Sequence, residues 1–376
     1  MKIGIITATT FVSALPNDIQ HPSYYGSEHV GAELVEYLLE LTNHTVEFWA
    51  PIGSTNFSNN DRVKFHPIKN TYGQHPPDDL IESVSFEHGA QTTDLLNCDF
   101  VIDMSKFCNS IEELFYYNKF RKFVILRSGH QDYFFPFRIN PPTDRHYVTH
   151  NRYFTELYGQ AGYPADYVNH AIHPFWCPGD NPEYWKYFED KGLEKKNYWL
   201  FAHRPAAVKG IERVLELASV FPNDVFCIST SAPLPDHQQT LNEVLRQAQS
   251  KQLTNIKYIP CPTRPAYHHY RREIMRNAKG SLCIYLTDGS YVDNIGYIGL
   301  ESLACGAPLI ATKSAGSLDI LGDDAHKKSV LFIDGIESCK YAVEHFSSYD
   351  LKGELPLGWT KEDTVNKYQE LFKKYA

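Results

Sequence analysis

The sequence lacks both a long apolar run and an excess of basic residues. Its first six residues hold one charge and their apolar character ends at Thr7, too soon for a signal h-region and far short of the roughly 20 apolar residues of a membrane span. The formal charge is −9, from 36 Lys and Arg against 45 Asp and Glu, whereas phosphate backbones and anionic lipids select basic surfaces. We therefore expect a cytoplasmic protein with no nucleic-acid partner and no strong membrane signal.

Cysteine chemistry has little support in the sequence either. The eight cysteines form no CxxC pair and no cysteine and histidine spacing that is typical of a zinc site. Small buried thiols in a reducing compartment explain these residues more simply than disulfides or metal ligands do.

The sequence does contain enough apolar surface for folded domains. Of its 376 residues, 43% are hydrophobic and 22% are charged, which excludes a disordered or collagen-like chain. Apolar, β-branched runs alternate with helical periodicity, as in α/β proteins whose parallel sheets carry helices on both faces. The predicted strands lie at residues 2–8, 45–50, 100–103, 123–126, 198–201, 225–230, 256–259, 282–286 and 308–311.

The same patterns predict helices and a domain boundary. Apolar residues at helical spacing predict helices at 28–41 and 361–375. A stretch rich in proline, glycine and aromatic residues at 173–182 interrupts the periodicity. We therefore predict one domain at 1–175, a second at 176–357 and a C-terminal segment at 358–376.

Two turns between a strand and a helix could hold a phosphate group. Gly26 and Ser27 precede the helix at 28–41, where small residues let backbone amides approach a ligand; a plain helix entry is the alternative. Arg204 and Lys209 lie between the strand at 198–201 and the next helix. Two cations at such a crossing could clamp a diphosphate, whereas a solvated surface pair is the alternative.

A third turn, residues 289–308, carries two acids around a glycine-containing loop. Asp293 lies in the loop, and Glu301 lies about one turn into the predicted helix that follows it. A carboxylate has two acceptor oxygens and so suits the vicinal hydroxyls of a sugar, while bare amides in the loop could bind a diphosphate. Two unrelated surface acids are the alternative.

In order and spacing, the three turns resemble the retaining glycosyltransferases of family 4, which have the GT-B fold of two Rossmann-like domains with parallel sheets facing across a cleft. In that family an acid, seven residues and a Glu precede an A-C-G-x-P run, and residues 293–308 match with Asp as the first acid. The family's G-R-x-x-x-x-K-G corresponds to residues 203–210, and its N-terminal G-G turn to Gly26 and Ser27. The resemblance covers nearly the whole chain and implies that the last helix crosses back to the N-terminal domain.

The resemblance implies a site for an activated sugar donor. Arg204 and Lys209 would bind the donor diphosphate and stabilise the departing nucleotide, so that neither a metal ion nor a cofactor is needed. Glu301 would accept hydrogen bonds from the nucleotide ribose, and Asp293 from a hydroxyl of the sugar. Further contacts would come from His130 to the sugar, from Gly26 and Ser27 to the donor phosphate, and from the amides of Asn294, Ile295 and Gly296.

The implied activity is transfer of a monosaccharide from a UDP or GDP sugar to a hydroxyl of a glycan or glycoconjugate. Another GT-B enzyme, such as an epimerase or a phosphorylase, and a non-catalytic module that binds sugar nucleotides are the alternatives. Asp293 is one methylene shorter than the family's Glu, which leaves the donor sugar open. Aromatic residues at 132–138 could stack on an acceptor glycan, although core packing is the simpler explanation. The residues indicate no particular oligomeric state.

Overall fold

A computed structural model of the protein describes residues 1–7, 27–51, 54–55, 57–68, 94–95, 97–104, 124–128, 145–149, 152–160, 162–177, 179, 181–230, 235–262, 266–286, 297–314, 317–318, 321 and 328–376. These residues divide into two compact units, Met1–Ala171 with Gly358–Ala376, and Ile172–Leu357. The boundary that we predicted after residue 175 lies a few residues beyond this division. Each unit is built on a parallel sheet.

The described part of the first unit contains a seven-stranded parallel sheet. Its strands are β1 (Lys2–Ile6), β2 (Thr45–Pro51), β3 (Val63–Ile68), β4 (Phe100–Asp103), β5 (Val124–Ser128), β6 (Arg145–Thr149) and β7 (Ala165–Tyr167). They lie in the order β3-β2-β1-β4-β5-β6-β7, so the strand order reverses between β1 and β4. Helices α1 (Ser27–Leu41) and α2 (Arg152–Gln160) belong to this unit.

The described part of the second unit contains a six-stranded parallel sheet. Its strands are β8 (Tyr198–Phe201), β9 (Val225–Ile228), β10 (Ile256–Tyr258), β11 (Gly280–Cys283), β12 (Leu309–Thr312) and β13 (Val330–Ile333). Their order, β10-β9-β8-β11-β12-β13, is the strand order of the Rossmann fold. The helices are α3 (Pro182–Glu189), α4 (Ile211–Val220), α5 (Pro235–Ser250), α6 (Tyr267–Arg276), α7 (Tyr297–Ala304) and α8 (Ile336–His345).

The last helix, α9 (Lys361–Tyr375), belongs to the first unit. It begins at a capping box, in which the N–H of Asp363 donates to Thr360 Oγ1 and the N–H of Thr360 donates to Asp363 Oδ2, each at 3.2 Å. These bonds satisfy amides that a helix start leaves without intrahelical partners. The ring of Phe372 on α9 lies 4.8 Å from the ring of Phe100 on β4, so α9 contributes to the core of the first unit.

Apolar side chains of the helices pack against the strands in each unit. In the first unit, α1 packs Leu34 and Leu38 into a cluster with Phe48 of β2. In the second unit, α4 packs Val214 into a cluster with Phe201 of β8. Since burial of one such side chain contributes about 1.5–3 kcal/mol, this packing stabilises the two sheets whose strands lead to the candidate site.

The α/β class and the two parallel Rossmann-like sheets are confirmed. Strands β4 and β8 and helix α9 have the bounds that the sequence predicts. Strands β3, β6, β7 and β13 are not among the predicted strands. In β3 the polar residues Lys64 and His66 interrupt the apolar run, and Pro67 argues against a strand interior. This proline is compatible with β3 because β3 lies at one end of the described strand order, and an edge strand needs fewer amide donors.

The strand predicted at 282–286 lies earlier in the chain, at Gly280–Cys283. The carbonyl oxygens of Ile284 and Tyr285 accept hydrogen bonds from Nη1 of Arg213 on α4, at 3.3 and 2.7 Å. These residues therefore leave the sheet and form a short segment beside α4. The difference matters for function, because this segment is part of the candidate site.

The prediction of small buried thiols holds for most of the described cysteines. The buried ones are Cys98, Cys227, Cys261, Cys283, Cys305 and Cys339. For Cys177, which is an exposed free thiol, the prediction is wrong, and Cys108 lies outside the described residues. Separately, no helix within the described ranges has the length and the apolar character required to cross a bilayer.

Candidate functional site

Strands β8 and β11 lie side by side in the second sheet, although β9 and β10 come between them in the chain. In sheets of this topology, ligands bind outside the carboxyl ends of the strands, where the strand order reverses. We call this place the switch point: the carboxyl ends of β8 and β11 with the residues that follow them, 202–210 and 284–286. Both phosphate-clamp candidates, Arg204 and Lys209, lie in the first of these segments.

The turn after β8 packs tightly against the segment after β11. Ala207–Lys209 form a 3₁₀ helix, and Gly210 follows it in the left-handed region, with φ of 76°. A Cβ at Gly210 would lie 1.9 Å from the carbonyl oxygen of Ile284, so a larger residue does not fit. The N–H of Leu286 donates to the carbonyl oxygen of Val208 at 3.0 Å. The two segments therefore meet backbone to backbone.

This packing buries Lys209. The residue is 6% exposed, and its ammonium nitrogen lies 4.6 Å from the ring centroid of Tyr285. The carbonyl oxygen of Tyr285 accepts hydrogen bonds from Nη1 of Arg213 at 2.7 Å and from Oγ1 of Thr312 at 3.2 Å. Because a cation is attracted to the face of an aromatic ring, the anchored ring fixes the position of the Lys209 charge.

A buried histidine lies among the positive charges of the site. His203 is 2% exposed, and its Nε2 lies 3.3 Å from Sγ of Cys283. Burial lowers the pKa of His203 well below its ordinary value, and the charges of Lys209, Arg271 and Arg204 lower it further. His203 is therefore neutral at neutral pH, and three cations act on one small region.

Arg204 differs from Lys209 in being exposed. Burial lowers the pKa of His237 on α5, and the charge of Arg204 adds to that shift. The guanidinium charge of Arg204 thus reaches both His203 and His237, and it is accessible to a ligand that arrives from solvent.

Glu301 lies on α7 as one half of a buried ion pair. It is 8% exposed, and its Oε2 accepts a hydrogen bond from Nη2 of Arg271 on α6 at 2.7 Å. Burial raises the pKa of the Glu301 carboxyl, and Arg271 limits the rise. The Arg271 guanidinium in turn lies 5.7 Å from the ring centroid of Trp176. A carboxylate held in this way can accept a hydrogen bond from a ligand in a defined direction.

The structure therefore brings three predicted site residues into one region. Arg204 and Lys209 both act on His203, as does Arg271, which binds Glu301. Ser27 begins α1, and its side chain is not described. The other predicted site residues, Gly26, His130, Asp293, Asn294, Ile295 and Gly296, lie outside the described residues, as does the aromatic stretch at 132–138.

Sequence reasoning missed Arg271 and Tyr285. Tyr285 falls within the strand predicted at 282–286, where an aromatic side chain is expected to pack in a core. Arg271 did leave a signal, since its helical spacing from the buried residues His268 and Ile274 places it on the buried face of α6. A cation on a buried face requires an anionic partner, and Glu301 is that partner.

Among the described residues, one group could hold a metal ion: Glu47, His66 and Asp94, whose candidate ligand atoms lie within 4.8 Å of one another. Nε2 of His66 faces Glu47 at 2.5 Å, whereas Nδ1 faces Asp94 at 3.7 Å. The carboxylates also pair with Lys2 and Lys64, each at 3.0 Å. Because the two ring nitrogens point at different carboxylates, the group is better described as a charge network of the first unit.

Comparisons with known proteins define the fold. No protein-family model and no curated protein matches the sequence. Solved structures do match. The structure of HepE of Anabaena in complex with UDP and glucose has a TM-score of 0.67 at 11% identity, and the match covers 100% of this chain and 99% of HepE. A glycosyltransferase from Rickettsia africae has a TM-score of 0.67 at 12% identity, covering 100% of this chain and 98% of that one. Sucrose-phosphate synthase from Thermosynechococcus elongatus has a TM-score of 0.66 at 11% identity, covering 99% and 95%. The chain therefore has the GT-B fold that these glycosyltransferases share.

Proposed function

We propose that the chain is a retaining glycosyltransferase of the family 4 type. It moves a monosaccharide from a nucleoside-diphosphate sugar, of the UDP or GDP type, to a hydroxyl of a glycan or glycoconjugate acceptor, and it needs no metal ion. The observation that carries the proposal is the position of Lys209, buried over Tyr285 at the switch point with the charge of Arg204 nearby. A diphosphate is the ligand that suits such cations. The structures of HepE with UDP and with UDP-glucose support this donor class.

In the proposed reaction, the bond between C1 of the sugar and the diphosphate oxygen breaks, and a bond between C1 and the acceptor oxygen forms on the same face. The acceptor proton passes to the departing diphosphate. Lys209 and Arg204 stabilise the negative charge that grows on the diphosphate. Charges held in place before the reaction stabilise the transition state most, and Tyr285 holds Lys209 in this way.

The carboxylates give the proposed site its specificity for an activated sugar. Glu301 accepts hydrogen bonds from the ribose of the nucleotide, and Asp293 accepts them from the transferred sugar. His130 binds that sugar as well. Gly26 and Ser27 approach the donor phosphate, and the amides of Asn294, Ile295 and Gly296 surround the ring and the phosphate.

The test is nucleotide release from a panel of UDP and GDP sugars, offered with glycan acceptors and with or without a chelator. We expect release that depends on the acceptor and persists in chelator, because the cations replace a metal ion. The anomeric configuration of the product, measured by NMR spectroscopy, should equal that of the donor. Absolute dependence on a divalent ion contradicts the proposed metal independence, and an inverted product contradicts the proposed retention of configuration.

The same panel separates the competing functions. A sugar nucleotide that changes configuration without an acceptor indicates an epimerase, and a sugar phosphate formed from inorganic phosphate indicates a phosphorylase. Tight donor binding without turnover on any acceptor indicates a binding module. We expect none of these results.

A further inference from the structure

The ion pair between Arg271 and Glu301 joins α6 to α7 in the second unit. Its side chains are largely withdrawn from water, with exposed fractions of 19% for Arg271 and 10% for Glu301. Removing two charges from water costs free energy that their attraction offsets only in part, so a buried pair is a poor source of stability. A role in ligand recognition accounts for the pair better.

The hydrogen bond of the pair engages one of the two carboxylate oxygens of Glu301. Nη2 of Arg271 donates to Oε2, and within the described part of the chain Oε1 has no hydrogen-bond partner. Because each carboxylate oxygen has acceptor capacity of its own, Oε1 can accept a hydrogen bond from a ligand hydroxyl. The bond to Oε2 fixes the orientation of the carboxylate, and therefore the direction from which Oε1 accepts that hydrogen bond.

Arg271 is itself held rigidly. Its guanidinium lies 5.7 Å from the ring centroid of Trp176, and the side chain of Tyr267 also forms a hydrogen bond with it. Burial alone would lower the pKa of Arg271, and the charge of Glu301 reverses that shift. Arg271 therefore keeps its charge and offers Glu301 a donor of fixed orientation.

We propose that Arg271 is a positioning residue for recognition of the nucleotide ribose. This inference rests on the proposed function. Arg271 holds Oε2 of Glu301 and thereby directs Oε1 at the ribose hydroxyls, so the preference for a ribonucleotide over its deoxy forms depends on Arg271. Arg271 itself touches neither the transferred sugar nor the bond that breaks.

The test compares the dissociation constants of UDP and GDP with those of their 2′-deoxy and 3′-deoxy forms by isothermal titration calorimetry. We expect the wild-type protein to bind the complete nucleotide about tenfold more tightly than at least one deoxy form, since a hydrogen bond to a charged group contributes on that order. In Arg271→Gln this ratio should fall to about one, because Glu301 loses its orientation. Arg271→Lys keeps the charge without the planar fork and should restore part of the ratio.

Arg272 offers a matched control on the same helix. Its Nη1 donates to the carbonyl oxygen of Phe175 at 3.1 Å, and its guanidinium lies 4.7 Å from the Phe175 ring centroid. Arg272→Gln therefore removes a half-buried arginine and an aromatic contact without touching Glu301. We expect it to reduce stability as much as Arg271→Gln does and to leave the ribose preference unchanged.

The outcomes separate the inference from the proposed function. If the wild-type protein binds neither UDP nor GDP, both fail. If it binds one of them and shows no ribose preference, or if Arg271→Gln keeps the preference, the inference is wrong and the proposed function stands. An equal loss of preference in Arg272→Gln also overturns the inference. Should Arg271→Gln not fold, as judged by circular dichroism, the ratio in Arg271→Lys decides, and an unchanged value rejects the inference.

Discussion

Each end of the second sheet carries a lysine over an aromatic ring, and the two ends differ in how far that charge is withdrawn from water. At the amino end, Lys279 lies 4.9 Å from a ring centroid of Trp199 and pairs with Asp224 at 3.1 Å. At the carboxyl end, Lys209 lies 4.6 Å from the ring centroid of Tyr285. The same contact holds a lysine at both ends, but Lys209 is buried, at 6% exposed, whereas the Lys279 side chain is 32% exposed.

The two lysines also differ in the charges around them. Near Lys209, the charges of Arg204 and Arg271 also act on His203, so the carboxyl end concentrates cations. Concentrated cations are unfavourable unless an anion joins them, and the carboxyl end of a parallel sheet is where ligands of this fold bind. The comparison thus teaches that strand topology selects the place for a ligand and that the local charges select its sign.

The largest effect should come from removing Lys209, with removal of Lys279 as the control. We expect Lys209→Ala to reduce kcat by about 10²–10³, the scale of removing a preorganised charge stabiliser. Lys279→Ala removes an equivalent contact at the far end of the strands and should leave kcat within about threefold of wild type. Steady-state assays with the donor that proves active measure both, and equal losses would contradict the assignment of the diphosphate to the carboxyl end.

The second comparison concerns two glycines with positive φ, Gly210 in the turn after β8 and Gly306 between α7 and β12. Gly210 has φ of 76°, and a Cβ added there would lie 1.9 Å from the carbonyl oxygen of Ile284. Gly306 has φ of 84°, and a Cβ added there would meet no atom within 4 Å. Gly210→Ala should lower the free energy of unfolding by about 3 kcal/mol, from backbone strain and overlap together, and Gly306→Ala by about 1 kcal/mol, from strain alone. Urea denaturation measures the two values, and similar losses would show that the close approach at Gly210 is absent.

The smallest expected effect is a pH dependence of the folding stability, which arises from His203 at the carboxyl end of the sheet. Because the pKa of His203 is lowered in the folded protein, the unfolded chain takes up this proton first as the pH falls. Stability should therefore decline below a pH of about 6.5, by at most ~1.4 kcal/mol per pH unit for this group, until the folded protein is protonated as well. The difference in stability between wild type and His203→Gln, followed by denaturation from pH 8 to pH 5, isolates this contribution. If the difference in stability does not vary with pH, His203 does not contribute to the pH dependence of folding.

Much of the fold was readable from periodicity. The strands at Phe100–Asp103 and Tyr198–Phe201 and the helix at Lys361–Tyr375 were predicted with their observed bounds, because each has a strong local pattern and a clear stop signal. The strand at Val63–Ile68 was not predicted, since its polar residues serve the charge network of Glu47, His66 and Asp94 rather than a core.

The candidate site was readable only in part. Arg204, Lys209 and Glu301 could be named as candidates because turns between a strand and a helix are encoded in a few neighbouring residues, and their roles came from the resemblance to a family. Spacing could not show that Arg271 rather than Arg272 meets Glu301, since Arg272 also lies at helical spacing from buried residues, His268 and Met275. That choice depends on how α6 is rotated against α7.

Local sequence was sufficient for the class of the fold and for placing Arg204 and Lys209 between a strand and a helix, because propensity and periodicity act over a few residues. The pairing of Lys209 with Tyr285, the neutrality of His203 and the bond between Arg271 and Glu301 required the folded chain. These features arise from burial and from contacts between residues far apart in sequence, and such contacts exist only once the strands have taken their order in the sheet.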